Sequence, residues 1–271
     1  MKDESESNSL EELLKTGAEV AGATAGAAIG LVGGPAGVLA GAASGPLVGR
    51  ALLHVAQELR SRFLGHREEV RIGATLAYAI DTIESRRAQG ERLREDGFFD
   101  SDSQSRNDAE EVVEATLLAA QREPQEKKLK YLGRLLGNLA FEESIDRSQA
   151  NLLIRMAEQL SYRQLLLLQL FLQPGSVTRD NDFRGQGAQL SNDLVYVLAE
   201  IHDLYLRGLV NNGGEVAFGL TGLIPARVET QGIGRHLIVL MGLNTVEDAP
   251  ALNTLTALLM SGPKKTESRE R

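Results

Sequence analysis

The residues able to do chemistry are few and scattered. His54, His66, His202 and His236 fall on separate stretches, with neither H-x-x-x-H nor H-E-x-x-H spacing. No two imidazoles are therefore set on one helical face to hold a metal. There is no cysteine, which excludes a disulfide framework and thiolate metal sites and suits a reducing compartment. No G-x-x-x-x-G-K-[ST] phosphate loop occurs. Gly232 and Gly234 form a G-x-G, but no third glycine follows in place and no long apolar strand precedes them, so the dinucleotide fingerprint is missing. The serines lack a nucleophile-elbow setting. Adjacent carboxylates such as Glu142 and Glu143 point different ways on a helix and read as solvated charges. The expectation is a non-enzyme with no catalytic residue, metal or cofactor.

Two patterns remain that could bind something. Lys127, Lys128, Lys130 and Arg134, followed by Arg147, Arg155 and Arg163, could contact an anionic partner. Glu123, Glu126, Glu142, Glu143, Asp146 and Glu158 interleave with them, so a solvated helix face is the competing reading. The net charge of −8 argues against a generally basic nucleic-acid binder.

The second pattern is Val20–Gly49, thirty residues without an ionisable side chain. Gly22, Gly26, Gly30 and Gly34 are four apart, as are Gly33, Gly37, Gly41, Gly45 and Gly49. On a helix that period places each set on one ridge, and a bare ridge lets a second backbone approach closely, as GxxxG faces do in lipid. The ladders are offset at Gly33-Gly34-Pro35, where glycine permits a turn and proline cannot continue the preceding helix. The pattern predicts glycine-zipper helices, as a hairpin or a single span. One helix of this length would extend about 45 Å, more than the roughly 30 Å hydrocarbon core. Each arm of a hairpin would fall short of the roughly 20 residues a span needs. The competing reading is a packed Gly/Ala helix pair in water. There each glycine costs a helix nearly 1 kcal/mol relative to alanine, whereas lipid forces the backbone to bond internally. Membrane association is the favoured expectation.

The elements that must position these patterns follow in order. Residues 1–9 are acidic and polar, the opposite of a signal-peptide n-region, and read as a solvated tail. Ser9 and Glu12 match a capping box before Leu10, Leu13 and Leu14. Arg50, Arg60, Arg62, Arg67 and Arg71 crowd the far side of the apolar stretch and predict a cytoplasmic flank, with a salt-bridged surface helix as the alternative. A helical pattern continues from Arg67 through Ile72, Leu76, Ile80 and Ile83, then yields to a polar linker at about 95–108. Asn107 or Asp108 caps a helix, Pro124 starts another, and Asp146 with Gln149 opens the run Leu152 to Leu160. Residues 164–173, apolar almost all round, read as a buried helix too short to span a membrane.

The domain plan is a polar tail and lead-in helix (1–16), a glycine-zipper membrane segment (17–55), a helical bundle (56–175), a small α+β module (176–260) and a charged tail (261–271). The fold class is mainly α. In the module, the helix carrying Leu194, Leu198, Ile201 and Leu204, the turn Asn211-Asn212-Gly213-Gly214, short strands and a helix from about Thr230 to Met241 resemble the closing half of winged-helix domains. The helix that would read DNA carries Asp193, Glu200 and Asp203 against Arg207 alone, so protein contact is expected there and DNA reading is not.

A glycine-zipper segment near the N-terminus, followed by helical and winged-helix-like parts, resembles the membrane effectors of bacterial anti-phage (abortive-infection) systems. The resemblance implies an inner-membrane protein with its C-terminal domains in the cytoplasm. It implies self-association through the zipper, contact with the lipid bilayer, a regulatory protein partner, and depolarisation or permeabilisation when triggered. A second expectation from a different class is a soluble or membrane-tethered regulator that uses the winged-helix-like end to bind a partner or DNA.

Overall fold

The computed structural model describes residues 2–32, 46–62, 64–99, 107–173, 175–184, 190–245 and 247–261. Among them the chain is mainly helical, with eleven α-helices and one two-stranded antiparallel sheet. It divides into two compact units, Met1–Gln159 and Leu160–Arg271.

The first unit holds α1 (Lys2–Ala21), α2 (Ala23–Val32), α3 (Pro46–Arg60), α4 (His66–Ala88), α5 (Asp108–Arg122), α6 (Leu129–Leu139) and α7 (Arg147–Gln159). Helix α4 is its axis. It packs against α1 on one side and α6 on another, and buries Val70, Ile72, Leu76, Ile80 and Ile83. Glycines set how closely its neighbours approach. A Cβ built on Gly73 would lie 1.8 Å from the Leu13 carbonyl oxygen, and one on Gly17 would lie 2.3 Å from the Ala74 nitrogen. The α1 and α4 backbones therefore touch directly. On α6, Gly133 and Gly137 would put a Cβ 2.5 Å from the Thr75 oxygen and 2.7 Å from the Thr82 Cβ. Small residues four apart thus seat α6 on α4, the same geometry that drives close helix pairing in lipid.

Helix α1 begins at Lys2, which moves the expected helix start upstream of the cap at Ser9. Ser9 lies inside the helix. Leu10, Leu13 and Leu14 are fully buried, each contributing about 1.5–3 kcal/mol, and extending a helix beyond such an anchor is cheap compared with nucleating one. Helix α3 starts with Pro46 at its first position, where a missing N–H costs nothing. It buries Val48, Ala51, Leu52, Val55, Ala56 and Leu59.

The expected polar linker at 95–108 begins as packed structure. Phe98 and Phe99 are buried and meet edge to face at 5.5 Å, with the Arg94 guanidinium 3.9 Å above Phe98. Asn107 caps α5, its side chain accepting from the Glu110 amide at 2.7 Å and donating to the Phe99 carbonyl at 3.3 Å. The capping box of Asp146 and Gln149 opens α7 at 2.8 and 2.9 Å, as its spacing requires.

The second unit comprises α8 (Tyr162–Leu170), α9 (Asn192–Leu206), β1 (Val210–Asn212), β2 (Val228–Thr230), α10 (Gly232–Leu240) and α11 (Ala249–Met260). Helix α8 is buried along almost its whole circumference and packs against α9, α10 and α11. Its buried Gln169 amide is satisfied by the Leu243 and Thr245 carbonyls at 2.7 and 2.6 Å. Strands β1 and β2 pair antiparallel with Val210 opposite Thr230 and Asn212 opposite Val228. Buried Asn212 pins the segment between them, donating to the Gly222 carbonyl at 3.3 Å and accepting from the Ile224 amide at 2.9 Å.

Candidate functional site

Of the uncharged stretch Val20–Gly49, the described residues fall in three helices and the turn at Gly22, and residues 33–45 lie outside them. Helix α1 ends at Ala21, Gly22 takes a left-handed φ of 54°, and α2 carries the chain to Val32. Gly33, Gly34, Gly37, Gly41 and Gly45 lie outside the described residues, as does the expected turn at Gly33-Gly34-Pro35. Gly30 is helical within α2. Gly49 is buried in α3, an amphipathic helix with Arg50, His54 and Glu58 along it, so the distal end of the expected zipper belongs to the folded body. No described helix is long and apolar enough to cross a membrane. The described residues do not support the expected glycine-zipper membrane hairpin: α1 and α3, which flank the stretch, bury apolar side chains in the first unit.

Helix α2 shows two faces. Ala21, Ala25 and Ala28, four and three residues apart, are buried, while Gly22 and Gly26 are exposed. A Cβ built on Gly22 or Gly26 meets nothing within 4 Å. Gly22 and Gly26 of the proximal ladder thus face outward, and the alanines face the α1 and α4 helices that pack on α2.

The arginines expected to mark a cytoplasmic flank are engaged between helices. Arg60 of α3 pairs with Glu12 of α1, and Arg62 at the end of α3 reaches Glu114 of α5 at 2.7 Å. Arg67 reaches Glu19 of α1 at 3.3 Å and also pairs with Glu126, and His66 meets Glu19 at 2.7 Å. Arg71 donates to the Gln121 carbonyl at 3.0 Å. Arg50 is exposed. The salt-bridged helix surface therefore accounts for most of this cluster.

The basic cluster on the α5–α6 connection does not form one surface. Lys127 is exposed, and Lys130 and Arg134 are half-buried, with the Lys130 ammonium 5.9 Å from the Tyr131 ring centre. Lys128 is 2% exposed, paired with buried Glu123, and donates to the Glu158 carbonyl at 3.0 Å. Lys128 is thus withdrawn as a contact for an anionic partner: an ammonium this deep is held by its carboxylate, since leaving either charge alone would be costly. The four histidines stay apart. His54 meets Glu110 at 3.2 Å, His202 stacks on Tyr205 at 6.1 Å, and His236 is exposed. Among the described residues no three metal-binding side chains converge.

Two concavities lie among the described residues of the first unit. A cavity of about 20 Å³ among Leu52, Ile83, Phe98, Phe99, Val112 and Leu136 is wholly apolar and holds no more than a methyl-sized group. A shallow polar groove runs past Arg92, Glu95, Glu142 and Glu143. At its edge Asp96 sits below the ordinary carboxylate range, chiefly through the hydrogen bond it accepts from the Arg94 guanidinium. In the second unit, Phe218 is 92% exposed and Val216 and Tyr196 are also largely open, while Ala217 between the first two is buried.

Sequence reasoning missed the close crossings at Gly17–Gly73 and Gly133–Gly137. The four-residue spacing of Gly133 and Gly137 was an available signal of the second. Compared with protein-family models, curated proteins and solved structures, the chain matches none.

Proposed function

We propose that this chain is a membrane-associated effector that self-associates through the outward glycine ridge of α2 and perturbs the bacterial inner membrane when triggered, as in anti-phage defence. The observation that carries the reading is the contrast between its helical glycines. A glycine inside a helix costs about 1 kcal/mol relative to alanine. At Gly17, Gly73, Gly133 and Gly137 that cost is offset by backbone contacts no larger residue allows. At Gly26 it has no such offset among the described residues. A continuing ladder of glycines on an open face fits a partner helix supplied by another copy, and the uncharged composition around it fits lipid as the medium. Dissolved in water, the ridge has its alanine side docked on the first unit. The folded helices are then the part that withholds the ridge until a trigger or a partner protein releases it.

The test is full-length expression in a bacterial host, with membrane fractionation, membrane potential read by a voltage-sensitive dye, and growth followed together. Wild type is expected to enter the membrane fraction, depolarise cells and arrest growth. Gly26→Leu, whose Cβ enters open space among the described residues, is expected to abolish crosslinked oligomers and depolarisation while leaving the circular dichroism spectrum unchanged. A wild-type chain that leaves potential and growth at vector levels, or a leucine variant as toxic as wild type, overturns the reading.

A further inference from the structure

The geometry points to Gly22 as a hinge: its switch from left-handed to right-handed helical φ would fuse α1 and α2 into one helix and lift α2 off α4. The inference rests on the effector reading for its purpose, though not for its mechanics.

Three features support it. The chain is helical on both sides of Gly22, with only that residue out of the helical region at φ 54°. Helical hydrogen bonds run up to it from both sides: the Gly22 amide donates to the Ala18 carbonyl at 3.0 Å, and the Gly26 amide to the Gly22 carbonyl at 3.3 Å. A change of the Gly22 backbone dihedrals alone therefore separates the bent form from a straight helix. Nothing lies within 4 Å of a Cβ on Gly22, so the residue is not glycine for want of room.

The helices it joins are held unequally. Helix α1 is anchored by fully buried Leu10, Leu13 and Leu14 and by backbone contact at Gly17 and Gly73. Helix α2 is held, among its described side chains, by buried Ala25 and Ala28 and by half-buried Thr24 and Ile29. Rotation at Gly22 would move α2 and leave α1 in place. Helix α2 is about 15 Å long, so its far end would travel a distance on the order of 10 Å, carrying the glycine ridge and the apolar chain after it away from the first unit.

Chirality supplies the test. A left-handed φ disfavours an L-residue by about 5- to 30-fold and favours a D-residue correspondingly. L-alanine at position 22 is expected to shift the population toward the straight helix by that factor, and D-alanine to hold the bend. Because the chain has no cysteine, a peptide thioester ending at Gly26 can be ligated to the rest of the chain through Ala27→Cys. That cysteine and Ser85→Cys, both at exposed positions, then carry spin labels in the full-length protein. The distance distribution is read in buffer and with phosphatidylethanolamine–phosphatidylglycerol vesicles. The expected result is a long-distance population ordered L-Ala, Gly, D-Ala. Identical distributions for all three overturn the hinge, whatever the vesicles do. Dye leakage from the same vesicles separates the two ideas: distances ordered as expected with no leakage in any form keep the hinge and sink the effector reading.

Discussion

Replacing Gly73 and Gly26 by alanine, each alone, sets helix propensity against close packing. On propensity both changes should stabilise, since each puts a better helix former inside a helix, by up to about 1 kcal/mol. The surroundings differ. At Gly26 the new methyl enters open space, so the full gain is expected. At Gly73 it would sit 1.8 Å from the Leu13 carbonyl oxygen, well over an ångström short of ordinary contact, and the obstacle is backbone that no rotamer change can clear. Helix α1 must then move off α4. A gap of 0.5–1 Å already forfeits a quarter to a half of the dispersion well, and overpacking typically costs about 1–3 kcal/mol. The loss has an upper limit in complete undocking of Leu10, Leu13 and Leu14, about 1.5–3 kcal/mol each. We expect Gly73→Ala to cost about 3 kcal/mol and Gly26→Ala to gain up to about 1. Urea unfolding followed by circular dichroism gives both values, and hydrogen exchange across residues 10–21 shows whether α1 is the element loosened. Two changes of the same sign would refute the claim that backbone contact, rather than glycine content, holds α1.

Lys128→Met leaves Glu123 charged and buried without its ammonium; it should cost about 3–5 kcal/mol, and Glu123→Gln beside it should recover most of that, because pairwise removal of a buried ion pair is often nearly neutral. The readout is the urea midpoint of the two variants. For Asp96, hydrogen bonding from Arg94 lowers the folded pKa, so its contribution is present above the unfolded value of about 3.9 and is lost as pH falls through the lower folded value. Asp96→Asn should therefore be less stable than wild type at pH 6, with the difference closing toward pH 3; a difference independent of pH would mean the carboxylate charge plays no part.

What the sequence made legible was local. The Asn107 cap, the Asp146–Gln149 box, the buried run at 164–173 and the short strands before the Gly232–Leu240 helix each depend on residues within a few positions of one another. What it hid depends on distance. Gly73 reads as a tolerated flaw in a helical pattern until Gly17, far off in the chain, is placed against it. Lys127, Lys128 and Lys130 look alike, and only the arrival of Glu123 and the Glu158 carbonyl selects the middle one for burial. Phe98 and Phe99 were overruled by the polar residues after them, although two adjacent rings seldom stay in water. In the Gly/Ala stretch the glycine ridge is visible but the buried side is not, because hydrophobicity barely varies around α2; that Ala25 and Ala28 face inward shows only once α1 and α4 supply a surface.

That separation bears on how the first unit could act. Burying a methyl group is worth about 0.8 kcal/mol. Buried Ala25 and Ala28 thus hold α2 by roughly 1.6 kcal/mol, to which half-buried Thr24 and Ile29 add, whereas α1 has three leucines and a backbone contact. Local opening free energies run from near zero up to the global value, and α2 falls toward the low end on this count. A gap of about 2–3 kcal/mol corresponds to an open population on the order of 1%. A ligand, a partner chain or a lipid surface that favours the open form a thousandfold would make it dominant. Helix α2 carries the open face of Gly26 and follows the left-handed turn at Gly22, so the energy needed to release it from the first unit is small beside that needed to release α1 with its three buried leucines.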